Sequence, residues 1–338
     1  MGDDLLYLGS LGADPREAGI TAVCRDGRTG DLSVLGLVAP ATSPSFLARD
    51  PTRPVLYATG EAPGGEVRAW RIAGDGGLAP LGTAATGGDY PCHLAVHPSG
   101  RYLLSANYGS GSVAVHRLDG TGAPTERTEL VAHHGTGPDQ ERQEGPHAHL
   151  VAVDPDGRRA HVVDLGADAV FHYRFDVDSG RLDPVGQTRT CPGTGPRHLA
   201  RYGDLRYLVG ELDGTLACYQ VAGDGAWRER ERLPICADGA EGYASEVAVS
   251  ADGRFVYVAT RGPDRLAVFG TDTGRLRPAA EVPCGGHWPR HFALVGEHLY
   301  VANERSGTVV TFRVDPDTGV PAPTGNQLPA PAPSCVLA

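Results

Sequence analysis

The residues best suited to chemistry in this chain are histidines, arginines and glutamates that occur in short, recurring motifs. A Pro-Arg-His triplet occupies residues 196–198 and again residues 289–291, and His147 and His149 stand in the stretch "GPHAH". A neutral histidine can accept a proton near pH 7, and the planar fork of an arginine binds a carboxylate, a phosphate or a developing oxyanion. A glutamate beside a histidine can orient the ring or relay its proton. Together these residue types indicate proton transfer on a small anionic molecule.

Short β-rich runs separated by turn signals are the elements that would position these motifs. Runs such as "YLLSAN", "FVYVAT" and "TVVTFRV" alternate with Pro-Ser-Gly, Pro-Asp-Gly or Ala-Asp-Gly turns, and no amphipathic helical stretch of useful length is visible. One register aligns seven copies of a repeat, which begin at Pro44, Pro91, Ala148, Pro196, Ala244, Pro289 and, as the stub "PSCVLA", Pro333. The copies start 44 to 57 residues apart, which is the period of a four-stranded propeller blade.

The two ends of the chain predict how the ring of blades closes. The C-terminal stub supplies one strand, whereas the N-terminus begins with three strands outside the repeat, "LLYLGS", "GITAVCR" and "LSVLGLVA". Together they make one complete blade, so we predict an all-β, seven-bladed β-propeller with four-stranded blades, a single domain over residues 1–338. The alternative, a pair of β-sandwiches with accidental similarity, does not explain a register that is fixed across all seven copies.

The repeat predicts that the reactive side chains meet at one mouth of the central channel. Each repeat start opens the strand that lines the channel, and the second strand runs back, so its end lies level with that start. The second and third residues of the repeats are Ser45-Phe46, Cys92-His93, His149-Leu150, Arg197-His198, Ser245-Glu246, Arg290-His291 and Ser334-Cys335. The second strands end near Glu61, Asn107-Tyr108, Asp164, Glu211, Arg261 and Asn303-Glu304. Packing alone favours small or apolar residues in a propeller channel, so this set of polar residues indicates a functional site.

Composition excludes several other classes of function. All 30 basic residues are arginine, and the 41 acidic residues give a net charge of −11, which argues against nucleic acid or a membrane surface as partner. The lack of lysine rules out Schiff-base chemistry and the Walker A phosphate loop. Seven cysteines without a Cys-x-x-Cys pair indicate reduced thiols, and "MGDDLLYLGS" has acidic residues where a secretory signal needs basic ones. We therefore expect a cytoplasmic protein.

The motifs also resemble those of a known family. The stretches "CHLAVHPSGRYLLSANYGSGSVAVH", "GPHAHLVAVDPDG", "GPRHLA", "SEVAVSADGRFVYVATRG" and "PRHFAL" look like the lactonase family of seven-bladed propellers. That family includes propeller-type 6-phosphogluconolactonases and fungal carboxy-muconate cyclising enzymes. The resemblance spans nearly the whole chain and implies hydrolysis of a lactone ring, or its reverse, without a required metal or cofactor. Its simplest implied substrate is a small anionic sugar lactone, 6-phosphogluconolactone.

Matched motif by motif, the resemblance implies a catalytic core and a surrounding set of substrate-binding residues. The core consists of His149, Arg197, Glu211 and Arg261. The surrounding set consists of His93, His147, His198, Glu246, Arg290 and His291. In the resulting hypothesis His149 is the general base, Arg197 and Arg261 bind anionic groups, and Glu211 assists. Gly210 and Glu304 stand where the family usually has Asn and Gln, which bears on the substrate more than on the fold.

Other functions for the same site stay open. A cycloisomerase, lactonase or cyclase of a biosynthetic or aromatic-degradation pathway would use the same residues, and a non-catalytic ligand-binding or scaffold propeller is the alternative outside enzymes. A cluster of His and Glu can also bind a divalent ion. We expect no metal, because the chain has no His-Glu-x-x-His motif and nearby arginines repel cations.

Some of these histidines can also have a purely structural role. His93 and His198 can each be structural, as we expect for His161 and His172 in their strands. The long interval before Ala148, which contains "VAHHG", is expected to enter at the channel mouth as a surface loop or a lid.

Overall fold

In the part of the chain that the structure describes, every regular element is a β-strand. The computed structural model describes residues 4–12, 14, 18–272 and 275–338, and within them 28 strands form seven four-stranded antiparallel sheets. The second strand of a blade is covered on both faces by neighbouring blades, so the run "YLLSAN" is buried throughout. The outermost strands are largely exposed, as over Arg181–Arg189. The prediction of an all-β, seven-bladed propeller is confirmed.

The strands follow one another blade by blade. The chain begins with β1 (Asp4–Ser10), β2 (Gly19–Arg25) and β3 (Leu32–Pro40). Blade 1 consists of β4 (Leu47–Arg49), β5 (Val55–Gly60), β6 (Glu66–Ile72) and β7 (Leu78–Ala85). Blade 2 consists of β8 (Pro91–Val96), β9 (Tyr102–Asn107), β10 (Ser112–Leu118) and β11 (Pro124–Ala132). Blade 3 consists of β12 (Ala148–Val153), β13 (Arg159–Asp164), β14 (Ala169–Asp176) and β15 (Arg181–Arg189).

The second half of the ring repeats this pattern. Blade 4 consists of β16 (Pro196–Tyr202), β17 (Leu205–Gly210), β18 (Thr215–Val221) and β19 (Trp227–Pro234). Blade 5 consists of β20 (Tyr243–Val249), β21 (Phe255–Arg261), β22 (Arg265–Asp272) and β23 (Arg275–Pro283). Blade 6 consists of β24 (Pro289–Val295), β25 (His298–Asn303), β26 (Thr308–Val314) and β27 (Pro321–Pro329), and β28 (Pro333–Leu337) ends the chain.

A seventh, composite blade closes the ring as predicted. Its strand order is β28-β1-β2-β3, with the C-terminal strand β28 at the channel. The strands β1 and β28 pair antiparallel, with Tyr7 opposite Leu337 and Leu8 opposite Val336. The two ends of the chain are thus joined in one sheet, and the three strands outside the repeat find the place that the sequence assigns to them. The acidic N-terminal stretch used to predict localisation lies partly outside the described residues.

Large side chains pack between the blades at one repeated position. Five second strands carry a fully buried tyrosine three residues before the channel mouth, namely Tyr7, Tyr57, Tyr207, Tyr257 and Tyr300. The hydroxyl of Tyr57 donates to the carbonyl of Gly122 at 2.8 Å, and that of Tyr300 donates to Gly30 O at 2.8 Å. Each of these two side chains therefore fills apolar space and also ties its blade to a hairpin elsewhere in the ring.

The repeat starts and the ends of the second strands lie at one end of the channel. In blade 4 Pro196 pairs with Gly210, and in blade 6 Pro289 pairs with Asn303. This register brings the predicted site residues to one mouth of the ring. No helix in the described ranges is long and apolar enough to cross a membrane.

Candidate active site

An additional backbone hydrogen bond positions the residue that follows the second strand in most blades. The backbone N–H of Glu211 donates to Gly195 O at 2.8 Å, and that of Glu304 donates to Trp288 O at 3.0 Å. Tyr108 and Glu61 make the same contact at 3.0 Å with the residue before their own repeat start. The sheet thus continues one residue beyond the assigned strand, and it is this residue whose side chain stands at the mouth.

A bulge places two consecutive residues of the channel strand at the mouth. Neighbouring residues of a regular strand point to opposite faces, so Arg197 and His198 would normally be separated. The pairing of β16 with β17 shifts register between Pro196 and Leu199, and the same irregularity occurs at the start of β8, β12, β20 and β24. Such bulges re-aim side chains next to functional sites. Both Arg197 and His198 consequently contact other site residues.

Three guanidinium groups converge on the buried carboxylate of Glu211. Arg197 Nε lies 2.9 Å and Arg261 Nη2 lies 2.7 Å from Oε2, while Arg142 Nη2 lies 2.7 Å from Oε1. The Arg197 contact has the distance of an ion pair without the angle of a hydrogen bond, because its Nε counts among the buried atoms that have no such bond. One negative charge therefore faces three positive ones, of which those on Arg197 and Arg261 are buried, so the cluster around Glu211 carries an excess of positive charge.

The pKa shifts in this cluster follow from burial and from the paired charges. Burial alone would raise the pKa of Glu211, but the charges of Arg261, Arg197 and Arg142 outweigh it and lower this pKa to about 2. Burial, together with the neighbouring Arg261, lowers the pKa of Arg197 to about 10. At pH 7 Glu211 is therefore a carboxylate and Arg197 a cation, so Glu211 is suited to holding arginines rather than to donating a proton.

Backbone carbonyls and aromatic rings hold the arginines of this cluster in place. Arg197 Nη1 donates to Ser245 O through a short contact. Arg261 Nη2 donates to Ala244 O at 3.2 Å, and its guanidinium carbon lies 5.4 Å from the Trp288 ring and 5.9 Å from the Tyr243 ring. Stacking of a guanidinium on aromatic faces is favourable and restricts its rotamers.

The second Pro-Arg-His triplet places its arginine in a separate ion-pair cluster. Arg290 Nη1 lies 3.2 Å from Glu304 Oε2, and Arg290 Nη2 lies 3.8 Å from Glu61 Oε1. Burial opposes the charge of Arg290, but Glu61 and Glu304 outweigh it and raise its pKa. This arginine already has two carboxylates, whereas Arg197 shares one carboxylate with two other arginines. The two triplets are thus equivalent in the repeat and different in charge balance.

A layer of histidines lies one residue deeper in the channel. His198 Nδ1 is 3.0 Å and His291 Nε2 is 3.3 Å from the same oxygen, Oε2 of Glu246. The His93 ring lies tilted against Phe46 with centroids 4.0 Å apart and meets the His198 ring edge-on at 5.5 Å. Burial lowers the pKa of His198 well below its usual value, an effect increased by Arg197, and lowers that of His291 to about 4 despite Glu246. Both rings are therefore neutral at pH 7.

The remaining predicted histidines stand on the blade 3 side of the mouth. His149 is buried, its ring lies 5.2 Å from that of His198, and its Nδ1 has no hydrogen-bond partner. Burial, reinforced by the charge of Arg197, lowers its pKa well below the usual value. His147 stacks on Tyr108 with centroids 4.5 Å apart and also contacts Glu144 through Nε2 at 3.2 Å.

The structure brings the predicted site residues together at one mouth. The two glutamates, however, do not pair as the hypothesis of a glutamate that assists a histidine base at Glu211 requires. Glu211 contacts arginines, and the carboxylate that contacts histidines is that of Glu246. Arg142 was missed by sequence reasoning, although the unusually long interval before Ala148 was the signal that could have found it. That interval lies at the mouth as predicted, and it sends Arg142 to Glu211 and, at 3.3 Å, to the Tyr108 hydroxyl.

The predicted structural histidines and the first residues of the long interval are placed as follows. His161 and His172 lie in β13 and β14, where their Nδ1 atoms are 2.8 Å apart. His133 is buried against Asp164, with 2.7 Å between Nδ1 and Oδ2, so it ties the loop to the end of β13. His134 is exposed.

A cavity of about 700 Å³ borders this cluster between blades 4 and 5. Its lining includes Leu212 and Gly262, which directly follow Glu211 and Arg261. It also includes Tyr243, whose ring lies 5.9 Å from the guanidinium carbon of Arg261. This volume is in the range of small-molecule sites. The cavity adjoins the Glu211 cluster through these neighbours, whereas the arginines and the channel histidines themselves are not among its lining residues.

One cluster of potential metal ligands lies away from the channel mouth. Among the described residues, the group of three ligand atoms lying within 4.8 Å of one another consists of Cys236, Asp238 and Glu281, outside the channel. Arg265 already pairs with both carboxylates, at 2.9 Å to each. Both carboxylates of this cluster are thus already paired with a cation of the protein itself.

Comparison with known proteins places the chain in a family. Residues 5–338 match the family described as "Lactonase, 7-bladed beta-propeller". The chain is 32% identical over 343 residues to a 6-phosphogluconolactonase of Bacillus subtilis, covering 98% of this chain and 97% of that protein. It therefore belongs to the seven-bladed β-propeller lactonase family, as its motifs predict.

Solved structures agree with this assignment. The periplasmic gluconolactonase PpgL of Pseudomonas aeruginosa is 30% identical and superposes with a TM-score of 0.91, covering 100% of this chain and 99% of that one. A Lactobacillus plantarum protein is 28% identical with a TM-score of 0.93, covering 99% of each chain.

Proposed function

We propose that this protein hydrolyses a small anionic sugar lactone, most simply 6-phosphogluconolactone. The observation that carries the proposal is the convergence of Arg197, Arg261 and Arg142 on the single carboxylate of Glu211. Because the carboxylate of Glu211 cannot neutralise two buried guanidinium groups and the half-buried one of Arg142, this part of the mouth is suited to an added anion such as a phosphate or the oxyanion of an opening lactone. The names of the similar proteins, 6-phosphogluconolactonase and gluconolactonase, support the same reaction class.

The chemistry of lactone opening matches the residues at the mouth. Water must lose a proton as it attacks the ring carbonyl, the carbonyl oxygen becomes an oxyanion, and the ring oxygen must gain a proton as it leaves. Neutral channel histidines supply the proton transfer, and the arginines at Glu211 supply the positive charge for the oxyanion and the phosphate. Glu211 itself keeps the guanidinium groups together, so its part is to position them.

A direct assay of ring opening tests the proposal. The purified protein is mixed with fresh 6-phosphoglucono-δ-lactone or glucono-δ-lactone, and acid release is followed with spontaneous hydrolysis subtracted. We expect catalysis of both reactions with a lower KM for the phosphorylated lactone. An Arg261→Ala variant should lose most of the rate, whereas Arg313→Ala, at an exposed pair with Glu297, should not. Acid release no faster than without protein, for both lactones, would contradict the proposal.

A further inference from the structure

Hydrogen-bond partners define which ring nitrogen carries the proton on the channel histidines. Each of these rings is neutral at pH 7, so each has one N–H and one lone pair. The backbone N–H of Val336 donates to His291 Nδ1 at 3.3 Å, so the proton of His291 is on Nε2, which faces Glu246. The backbone N–H of Val151 makes a longer contact of 3.5 Å with His93 Nδ1, which puts the proton of His93 on Nε2 as well.

His198 has the opposite arrangement. Its Nδ1 lies 3.0 Å from Oε2 of Glu246 and must carry the proton to make that hydrogen bond. Both oxygens of Glu246 act as acceptors, because Oε1 also receives the backbone N–H of Val247 at 3.0 Å. Burial raises the pKa of Glu246, whereas the nearby His291 and Arg197 and the N–H of Val247 act to lower it. Acceptor contacts at both oxygens are the pattern of an ionised carboxylate. The Nε2 atom of His198 is consequently left with its lone pair.

His149 differs because nothing orients it as a base. Its Nδ1 is buried without a hydrogen-bond partner. Buried N–H groups without an acceptor are rarer in proteins than under-satisfied acceptors, so the lone pair is assigned to the unpartnered Nδ1. The proton of His149 is therefore on Nε2, and this ring can donate a hydrogen bond but cannot accept a proton there.

We propose that His198, oriented by Glu246, is the general base of the reaction, and that His149 donates a hydrogen bond to the lactone carbonyl oxygen. This inference rests on the proposed lactone hydrolysis, and it differs from the assignment of the base to His149 that the sequence favours. The pair of Glu246 and His198 has the logic of the carboxylate–histidine pair in serine hydrolases, in which the carboxylate fixes the tautomer and stabilises the imidazolium.

The proton balance of the step is simple. The water oxygen bonds to the carbonyl carbon while one water proton moves to His198 Nε2, and the oxyanion that forms faces Arg197 and the His149 N–H. The tetrahedral adduct then breaks the bond between the carbonyl carbon and the ring oxygen, which takes the proton back from His198. That transfer returns His198 to its neutral starting state, and the second water proton, left on the new carboxyl group, is released to solvent.

The tautomers can be measured without any substrate. In long-range ¹⁵N–¹H spectra of the uniformly labelled protein at pH 7, an unprotonated ring nitrogen is far downfield of a protonated one. We expect His198, assigned by the loss of its signals in His198→Gln, to show an unprotonated Nε2. We expect His149, assigned in the same way, to show a protonated Nε2. A protonated Nε2 on His198 overturns the proposal.

Kinetics then test the catalytic part with Glu246→Gln. The amide preserves the side-chain shape but removes the negative charge that stabilises the imidazolium formed when His198 takes the water proton. We expect kcat for lactone opening to fall on the order of 100-fold or more with little change in KM. Retention of wild-type kcat in Glu246→Gln or in His198→Gln overturns the proposal.

A matched control separates loss of the base from loss of a buried histidine. His97 is equally buried at the opposite end of β8, where its Nε2 contacts Gly157 O at 2.8 Å. We expect His97→Gln to keep kcat within about twofold even where its melting temperature falls. If the wild-type protein opens neither lactone, the proposed function and the catalytic role of His198 both fail, whereas the tautomer measurement still reports whether the hydrogen-bond assignment is correct.

Discussion

At the scale of single residues, the carboxylate of Glu211 holds together the positive charges of the mouth. Its three arginine partners come from blade 4, from blade 5 and from the loop before blade 3. With its side chain about 4% exposed, this carboxylate is a counter-charge that solvent cannot replace. Loss of its charge should therefore lower the stability of the folded protein as well as its activity.

Glu211→Gln should destabilise the protein by about 3–5 kcal/mol, the cost of breaking a buried ion pair by removing one partner. Added inorganic phosphate should recover part of the loss, because the three guanidinium groups then take up an anion that binds the folded state. Thermal melts in chloride and in phosphate buffers measure both effects. Glu297→Gln, at the exposed pair with Arg313, serves as the control and should melt like the wild-type protein. Equal melting of Glu211→Gln and the wild-type protein would refute the role given to this carboxylate.

The sequence predicted which residues lie at the mouth but not which of them pair with each other. The register of the repeat is enough to place Arg197, Glu211 and Arg261 at one mouth, because equivalent positions of a ring face one channel. It cannot say that Glu211 pairs with arginines while Glu246 pairs with histidines. That distinction depends on rotamers and on distances of about 3 Å, which a repeat alignment does not contain.

At the scale of elements, the bulge in the channel strand and the loop before blade 3 build the site. The bulge is invisible in the sequence, since "PRHLARY" reads as an ordinary strand, yet it lets adjacent residues reach the channel. The loop over residues 133–147 was predicted at the mouth from its length, and its buried end at His133 explains how it is fixed there. Its reach to Glu211 through Arg142 was not predictable, because an irregular loop has no period from which to infer direction.

Arg142→Gln should weaken binding of the anionic lactone more than that of the neutral one. Its guanidinium is the most exposed of the three at Glu211, with 35% of the side chain accessible, so it can turn toward a phosphate entering from solvent. We expect KM for 6-phosphoglucono-δ-lactone to rise about tenfold, which corresponds to about 1.4 kcal/mol, and KM for glucono-δ-lactone to change much less. Steady-state kinetics with both lactones measure this difference. The exposed neighbour Glu141 provides a control as Glu141→Gln, and equal effects of Arg142→Gln on both lactones would contradict a role in binding the phosphate.

At the scale of the whole molecule, the composite blade holds the ring together. The inner strand β28 is the last of the chain and β1 among the first, so ring closure joins residues more than 300 positions apart in sequence. Contacts of such long range carry a large loop-closure entropy, which the packing of the other blades must offset. The closure was predictable because the count of strands at the two ends left one arrangement that completes a blade.

Removal of residues 333–338 should therefore destabilise the entire propeller rather than one blade. The deletion leaves β1 without its inner partner and removes Cys335 and Val336, whose side chains are almost fully buried. Burial of such a side chain contributes roughly 1.5–3 kcal/mol, and the lost backbone pairing adds to this. We expect a large drop in melting temperature and rapid proteolysis throughout the chain, whereas deletion of the exposed Ala338 alone should change little. A truncated protein that melts like the full chain would show that the ring does not depend on this closure.

The buried titratable groups of the ring predict a stability plateau from about pH 7 to about pH 9. Burial lowers the pKa of His172 to about 3 and that of His291 to about 4, and it also lowers the pKa values of His93, His149 and His198. Between these values and about 6.5, the ordinary value of histidine, the unfolded chain binds more protons than the folded chain. The stability that these groups provide is therefore fully present above about pH 6.5 and is lost as the pH falls below it.

Above the plateau the stability changes with pH in the opposite direction, because buried acids rather than buried bases are titrated. Burial raises the pKa of Tyr257 to about 12 and that of Cys284 to about 11, so their stabilising contribution is present below the unfolded values and is lost as the pH rises past them. We expect the melting temperature to fall from pH 7 to pH 5 and again above about pH 9, as measured by calorimetry at constant ionic strength. His172→Phe removes one buried imidazole, so its melting temperature should fall less steeply from pH 7 to pH 5 than that of the wild-type protein. A melting temperature that rises on acidification from pH 7 to pH 5 would contradict the dominance of buried neutral histidines.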